Sequence, residues 1–226
     1  MKQISLKSDA EQALIAYKNM EGYRIQEEIL QRLIKEYPDH KNKVAVDTKV
    51  KLLNLFYSTG IQATNLMINN ILSIKDIDIR LAKGDLTLVP EIATLRLTKG
   101  ERFNYSFATK YCALYQPEKY PIYDSIVAKT FVSFFEQSLL PKYKLIKREK
   151  STHPNSFTKG EFAAKLKEYD FYVSFYDYFM KLFDLTNFTY REIDSYIWGA
   201  FKVAGDEFEI EKIAKLDKKK IVEVTI

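Results

Sequence analysis

The 226-residue sequence contains few of the residues that reverse a polypeptide chain. It has only seven glycines and six prolines, about half of the roughly 12% that these two residue types make up in average proteins. This scarcity argues against a many-stranded sandwich or barrel, because short strands need frequent turns. Neither the G-x-G-x-x-G nor the G-x-x-x-x-G-K-[ST] loop of nucleotide-binding proteins occurs, so we expect no nucleotide cofactor.

Residues that bind metals are also scarce. The single cysteine, Cys112, excludes an intramolecular disulfide, a thiolate zinc site and a four-cysteine iron–sulfur cluster. We interpret Cys112 as a small buried apolar residue. The two histidines, His40 and His153, lie far apart in the sequence, which argues against a histidine-rich metal site. We therefore expect no metal and no cofactor.

Long apolar segments are absent as well. No apolar run approaches the ~20 residues that span a bilayer, and the first residues, MKQISLKSDAEQ, lack the apolar core of a signal peptide. These absences predict a cytoplasmic protein that makes no membrane contact. The formal net charge of +5 allows a polyanionic partner but does not require one.

What the sequence does contain is apolar residues at helical spacing along most of its length. The pattern predicts a helix over residues 8–36, opened by a capping box at Ser8 and ended before Pro38. A second helical block begins near Asp47, breaks at Gly60 and then resumes.

The middle of the chain predicts shorter elements. Residues 76–84 and 85–95 predict two short helices, with Asp85 as an N-cap and Pro90 in the first turn of the second helix. Residues 98–124 predict a turn, a helix and an extended segment bounded by prolines.

The last part of the chain again predicts long helices. We expect an apolar helix over residues 125–140, a basic surface loop over 141–157, a helix from the Thr158 capping box to about Phe183, a final helix capped by Asn187 or Thr189, and a charged tail over 207–226. Aromatic residues are dense between positions 162 and 190. At helical spacing we interpret them as core, and a base-stacking platform is the alternative.

One segment resembles a known family. Residues 119–127, K-Y-P-I-Y-D-S-I-V, follow a predicted helix and place Asp124 at the start of the next one. The segment resembles the aspartate segment of helix-hairpin-helix DNA glycosylases and is most similar to the form P-I-L-D-G-N-V of adenine mismatch glycosylases. Together with Y-S-T-x-I, S-F-A-T-K-Y and R-x-I-D-x-x-I-W, the pattern over residues 45–200 looks like a bacterial family with an 8-oxoguanine-DNA-glycosylase-like fold.

The resemblance implies a fold and a partner. The expected fold is all-α and helix-hairpin-helix DNA glycosylase-like, with two helical lobes around a cleft. We expect one globular unit over residues 1–226. Within it, residues 1–44 form an N-terminal helical extension, 45–200 the glycosylase-like core and 201–226 a charged C-terminal tail. The implied partner is double-stranded DNA, bound by a monomer.

The resemblance also implies catalytic residues. Asp124 would stabilise the positive charge that develops on the sugar, or orient the attacking water, during hydrolysis of an N-glycosidic bond. An ordinary helix N-cap is the alternative for Asp124. Ser106 occupies the position at which bifunctional relatives carry a nucleophilic lysine, which is typical of monofunctional relatives. Lys110 lies one turn later on the same helix face, and there it either reaches the site or is solvated.

The sequence departs from the family at the hairpin. The usual L-P-G-V-G is absent, residues 102–104 stand where G-V-G would lie, and the nearest glycine is Gly100. Those glycines let the backbone approach a DNA phosphate. We expect Lys99 and Arg102 to replace that contact with side-chain charge, with Gly100 and Ser106 as further DNA-binding candidates. Lys110 and the basic stretch 142–150 are further candidates for phosphate contacts, and a solvated loop is the alternative for that stretch.

A base pocket needs aromatic walls and a few polar groups that contact the edge of the base. The candidates are Tyr57, Ser58, Thr59 and Gln62 from the interrupted early helix, followed by Tyr123 and Trp198. Each has a structural alternative, because Ser58 and Thr59 are also typical helix caps and the aromatic residues are also typical of a core.

The sequence therefore leaves three possible functions open. The first is a DNA glycosylase that uses Asp124. The second, suggested by the missing glycine hairpin, is a catalytically silent DNA-binding protein with the same fold. The third, suggested by the aromatic density, is a helical protein-interaction domain.

Overall fold

The computed structural model describes residues 6–18, 21–147 and 154–204. These residues form eleven helices and two small sheets, which confirms the mostly helical class. The helices are α1 Lys7–Lys18, α2 Glu21–Glu36, α3 Lys43–Phe56, α4 Thr64–Ser73, α5 Ile77–Lys83, α6 Leu88–Ala93, α7 Tyr105–Tyr115, α8 Ser125–Glu136, α9 Lys159–Lys165, α10 Tyr169–Leu182 and α11 Tyr190–Ala204. The strands are β1 Thr94–Leu97, β2 Gly100–Phe103, β3 Lys144–Leu145 and β4 Ser156–Phe157.

The chain forms two compact units. The continuous unit is Lys18–Tyr123, and it contains α2–α7 with the β1–β2 hairpin. The split unit combines Met1–Tyr17 with Asp124–Ile226, and it contains α1, α8–α11 and the parallel pair β3–β4. The predicted boundaries at residues 44 and 200 are not tested by this division and stay predictions.

Helix ends in the continuous unit follow local chemistry. Helix α2 ends at Glu36, just before Tyr37 and Pro38, as predicted. Helix α3 begins at Lys43, four residues earlier than predicted, because the Asn42 side chain accepts hydrogen bonds from two backbone N–H groups of its first turn. The predicted break after α3 is confirmed, and Gly60 adopts a φ of +72° there.

Two predicted caps are wrong. Helix α1 begins at Lys7, so Ser8 lies inside the helix rather than before it. Helix α6 begins at Leu88 after Thr87. The Asp85 carboxylate instead accepts hydrogen bonds from the Thr87 backbone N–H at 3.0 Å and from Arg80 Nε at 2.7 Å. Pro90 lies in the first turn of α6, as predicted.

A β-hairpin occupies residues for which helix and turn were predicted. Strands β1 and β2 pair antiparallel, with Thr94 opposite Phe103 and Leu97 opposite Gly100. Gly100 has a φ of +100°, which suits the tight return. Leu95 is buried while Arg96 is exposed. A strand of four residues is too short to outweigh the helical spacing around it, so the sequence pattern did not predict the hairpin.

Helix α7 runs through the interior of the continuous unit. All of its residues except Ser106 near the start and Tyr115 at the end are buried. Cys112 is fully buried, and burial raises the pKa of its thiol, so the interpretation of Cys112 as a core residue is confirmed.

The aromatic residues of the split unit form its core, as predicted. Phe131 of α8 is fully buried, and its ring centroid lies 4.9 Å from those of Phe175 and Phe179 and 5.3 Å from that of Tyr176 in α10. Phe162 of α9 stacks on Phe135 at 4.2 Å. These rings fill the space between helices, so they do not form an exposed stacking platform.

Other predictions for the split unit are confirmed in part. The Thr158 capping box is present, but the predicted long helix after it is divided into α9 and α10. Thr189, rather than Asn187, caps α11, because its Oγ1 accepts the Glu192 N–H at 3.2 Å. Helix α8 ends at Glu136, four residues before the predicted end.

Some predictions lie outside the described residues. His153, residues 148–150 of the basic stretch and the charged tail over 207–226 belong to this part of the chain. None of the helices that the structure describes combines the length and apolar character needed to cross a bilayer.

Candidate active site

Three of the predicted site residues meet in the continuous unit. Ser106 lies in the first turn of α7, and Lys110 follows one turn later. Lys110 Nζ donates a hydrogen bond to Ser106 Oγ at 2.7 Å, and it lies 5.8 Å from the centroid of the Tyr57 ring. Lys110 is only 6% exposed, so the alternative of a solvated lysine is wrong. The amine is held in the interior beside a hydroxyl and an aromatic ring.

The turn after α3 is organised by Asn54. Its Nδ2 donates to the Ile61 carbonyl at 3.0 Å, while its Oδ1 accepts from Thr59 Oγ1 at 2.8 Å and from the Ile61 N–H at 2.9 Å. Ala63 precedes α4, so neither Ser58 nor Thr59 is its N-cap. Asn54 was not among the residues predicted from the sequence, although an amide one turn before a Ser-Thr-Gly step is a signal for such a closure.

Side chains around this turn differ in accessibility. Tyr57 and Thr59 are half-buried, whereas Ser58 and Gln62 are exposed. Ser58 adopts a φ of +47°, in the left-handed region that non-glycine residues rarely occupy. The turn is therefore closed internally by Asn54 and presents hydroxyl and amide groups at its surface.

The segment that leads to Asp124 is anchored on α5–α7. Tyr120 is fully buried, and its hydroxyl donates to the Asp85 carbonyl at 3.2 Å. The Tyr123 N–H donates to Thr109 Oγ1 at 3.1 Å. Thr109, which directly precedes Lys110, was also missed by the sequence analysis. These bonds fix the backbone of the residue immediately before Asp124.

Asp124 is the N-cap of α8. Its backbone is extended, with φ −125° and ψ 150°, and its Oδ1 accepts a hydrogen bond from the Ile126 N–H at 2.9 Å. The side chain is half-buried. The predicted N-cap is thus confirmed.

The predicted phosphate contacts lie on the hairpin. Lys99 and Gly100 are exposed at its turn. Arg102 is exposed in β2, and its Nη2 donates to the Gly60 carbonyl at 3.1 Å. Arg102 therefore ties the hairpin to the turn after α3, where Tyr57 lies. A guanidinium has further donors, so this bond leaves Arg102 able to contact a phosphate.

Three aromatic rings form a stack beside the hairpin. The Phe103 and Tyr105 rings are nearly parallel at 16°, with centroids 5.5 Å apart. The Tyr105 and Tyr123 rings are in contact but tilted by 47°, with centroids 4.5 Å apart. We call Phe103, Tyr105 and Tyr123 the aromatic stack. Only Tyr123 was a sequence candidate.

Trp198 belongs to the split unit. It is half-buried in α11, and its ring packs edge-on against Tyr17 with centroids 6.2 Å apart. This contact agrees with the structural alternative for Trp198, and a role in the base pocket stays a prediction.

A second polar cluster lies in the continuous unit and was not predicted. We call His40, Lys49, Asp78, Tyr111 and Tyr115 the polar network. The His40 ring bonds to Asp78 Oδ1 at 2.6 Å through Nδ1 and to the Tyr111 hydroxyl at 2.9 Å through Nε2, and Lys49 Nζ donates to the Tyr115 hydroxyl at 3.0 Å. His40 and Lys49 are buried. Within the described residues, no three potential metal ligands come together.

Burial of the polar network should make folding sensitive to acid. Burial lowers the pKa of His40, although the neighbouring Asp78 carboxylate acts in the opposite direction. The unfolded chain therefore binds the His40 proton more readily than the folded chain. The stability that neutral His40 contributes is present above its ordinary pKa of ~6.5 and is lost as the pH falls through its lowered folded-state pKa.

We expect the free energy of unfolding to fall between pH 7 and pH 5, and to fall less in His40→Gln. Urea denaturation followed by circular dichroism at each pH measures this difference. Asp78→Asn serves as the comparison, because removing the carboxylate should lower the pKa of His40 further and steepen the loss. Equal slopes for wild type and His40→Gln would contradict the expectation.

The chain is similar to one protein-family model and to one curated protein. Residues 9–119 match the family model described as HI_0787_N, N-terminal domain. A curated protein of Haemophilus influenzae that bears the name "Uncharacterized protein" is 33% identical over 149 residues. That match covers 66% of this chain and 62% of the relative, so the chain spans less than two thirds of the relative's length. No solved structure is significantly similar. The family-model match includes Tyr57, Ser106 and Lys110 and ends before Asp124.

Proposed function

We propose that the protein is a DNA glycosylase that releases a damaged or modified base by hydrolysing the N-glycosidic bond, with Asp124 as the catalytic carboxylate. The main support is the position of Asp124 at the start of the apolar helix α8. It directly follows a segment in which Tyr123 bonds to Thr109 of α7 and Tyr120 bonds to the Asp85 carbonyl. This is the arrangement that the sequence resemblance implied. The helix-hairpin-helix glycosylase-like fold, with two helical lobes around a cleft, belongs to the same proposal.

The chemistry needs few groups. As the glycosidic bond breaks, positive charge builds on the sugar, and a half-buried carboxylate lowers the energy of that state or orients the attacking water. No metal is required. The target nucleotide first leaves the base stack and enters a pocket. In this proposal Tyr57 provides an aromatic wall, and Thr59 and Gln62 contact the edge of the base.

Ser106 and Lys110 decide between two types of product. A monofunctional enzyme leaves an abasic site, whereas a lysine nucleophile leads to strand cleavage. Ser106 at the start of α7 supports the monofunctional type, as the resemblance implied. Lys110 donates to Ser106 Oγ, so in this proposal it positions Ser106 rather than attacking the sugar.

The hairpin supplies the proposed DNA contact. Lys99 and Arg102 are exposed, and two cations on one hairpin favour a phosphate backbone. The partner is double-stranded DNA, and a monomeric, cytoplasmic protein fits this role.

Base release from a panel of duplexes tests the function. The panel contains 8-oxoguanine, adenine opposite 8-oxoguanine, uracil, thymine mismatches and alkylated bases, each incubated with excess enzyme, with and without an alkaline step. We expect strand cleavage at one substrate only after alkali. Cleavage without alkali would instead identify a lysine nucleophile, with Lys110 as the first candidate. No base release from any duplex would contradict the proposal.

A catalytically silent DNA-binding protein is the second candidate. The sequence favours it, because residues 102–104 stand where the glycines of the usual helix-hairpin-helix motif would lie. It predicts DNA binding that Asp124→Asn leaves unchanged, with no abasic product. The protein-interaction domain loses its support, because the dense aromatic residues of α10 that suggested it are largely buried in the core.

A further inference from the structure

We propose that Phe103 is a stacking platform for an unpaired base, so that the protein binds DNA with a locally opened site more tightly than intact duplex. This inference rests on the proposed function in so far as the partner is DNA. It adds the feature of the DNA that is recognised and the residue that recognises it.

The aromatic stack is anchored at one end and open at the other. Tyr105 is 7% exposed, and Tyr123 is half-buried with its backbone bonded to Thr109. Phe103 is 51% exposed. The Tyr105 ring is nearly parallel to that of Phe103, with centroids 5.5 Å apart, so the two rings are offset and in contact. A planar base can therefore stack on the exposed part of Phe103.

Exposure of Phe103 alone would not support this inference, because isolated apolar side chains are common on protein surfaces. Phe103 differs from the exposed aliphatic residues Val44 and Leu55 in having a rigid aromatic support beneath it. Contact with the Tyr105 ring reduces the side-chain freedom that Phe103 would lose when a base stacks on it. Stacking on an aromatic ring accepts any base, because every base has a π-face.

Basic residues around Phe103 favour a ligand that carries phosphate groups. Arg102 precedes it in β2, Lys99 lies at the hairpin turn, and Arg96 in β1 is 91% exposed at its side chain. Glu101 offsets part of this charge through a 3.7 Å exposed pair with Arg96. The hairpin is therefore cationic overall and carries an accessible aromatic ring. A planar aromatic group joined to phosphates, as in an unpaired nucleotide of a DNA strand, complements both features.

The experiment compares two DNA probes and four proteins. All proteins carry Asp124→Asn, so that no base is released during the measurement. The probes are a fully paired duplex and the same duplex with one bulged, unpaired base. The Phe103 side chain is left unchanged or replaced by Leu, which keeps apolar bulk without a ring, or by Tyr, which keeps the ring. Leu55→Ala, at a residue that is 69% exposed on α3, is the matched surface control.

We expect the parent protein and Phe103→Tyr to prefer the bulged probe. Phe103→Leu should weaken binding to that probe by about fivefold or more, with little change for the paired duplex. Leu55→Ala should change neither affinity. Thermal unfolding of each variant verifies that it is folded.

The outcomes separate this inference from the proposed function. Equal effects of Phe103→Leu on both probes, or none, would overturn the stacking role, whereas base release by the protein with Asp124 intact would still support the glycosylase. Absence of binding to either probe would overturn both. Binding to anionic lipid vesicles but not to DNA would also overturn the inference and would indicate that the cationic hairpin contacts a membrane surface.

Discussion

Replacing Asp124 with asparagine should strongly slow base release and leave the protein folded. Asparagine is as good an N-cap as aspartate, so the bond from the Ile126 N–H to the side-chain oxygen is retained. The amide lacks the negative charge that stabilises the developing positive charge on the sugar. We expect the single-turnover rate of base release to fall about 10²–10⁴-fold, measured as abasic product after alkali on whichever duplex the panel identifies.

Two further variants separate the loss of the Asp124 charge from the loss of its N-cap. Asp124→Ala removes the cap as well as the charge, and it should lower the free energy of unfolding by about 1 kcal/mol more than Asp124→Asn. Asp184→Asn is the matched control. Asp184 is exposed in the split unit and has a φ of +58°, a conformation that asparagine tolerates. If Asp124→Asn retains full base release, Asp124 is only a cap and the mechanism is wrong.

Replacing Phe131 with alanine should cause the largest loss of stability. Phe131 is fully buried between α8 and α10, and its ring meets those of Phe175, Tyr176 and Phe179 within 5.3 Å. Removing the ring leaves a cavity that these large neighbours fill only in part. We expect a decrease of about 3–5 kcal/mol in the free energy of unfolding, measured by urea denaturation.

Two control variants test whether the loss of stability comes from the lost volume of the Phe131 side chain. Phe131→Leu keeps most of the apolar volume and should cost clearly less than Phe131→Ala. Ile15→Ala, at a residue of α1 that is 65% exposed, should be almost neutral. A loss below ~1 kcal/mol for Phe131→Ala would show that the aromatic cluster is not the core on which this unit depends.

Much of the helical framework could be predicted because its causes are local. Pro38 restricts the residue before it, and α2 ends there. The Thr158 side chain binds an N–H three residues later, and α9 starts there. Asp124 acts on the first turn of α8 in the same way. Each of these signals involves residues within one helical turn, so the sequence alone was enough.

The candidate site could be predicted only in outline. The sequence pattern and the resemblance named Tyr57, Ser106, Lys110 and Asp124, but they left open whether Lys110 was solvated. Its burial depends on which face of α7 packs inward. The bond from Arg102 to the Gly60 carbonyl joins residues 42 positions apart, and no local pattern indicates such a contact.

The sequence by itself determined the helical class, the end of α2, the start of α9 and the aspartate at the start of α8, because these depend on propensity, capping and periodicity. Only the tertiary structure decided that β1 and β2 pair as a hairpin, that Lys110 and Lys49 are buried, and that His40 bonds to Asp78. Short strands gain their stability from cross-strand pairs, and a buried charge is tolerated only where partners lie within reach. Both conditions depend on residues distant in sequence, which meet only when the chain folds.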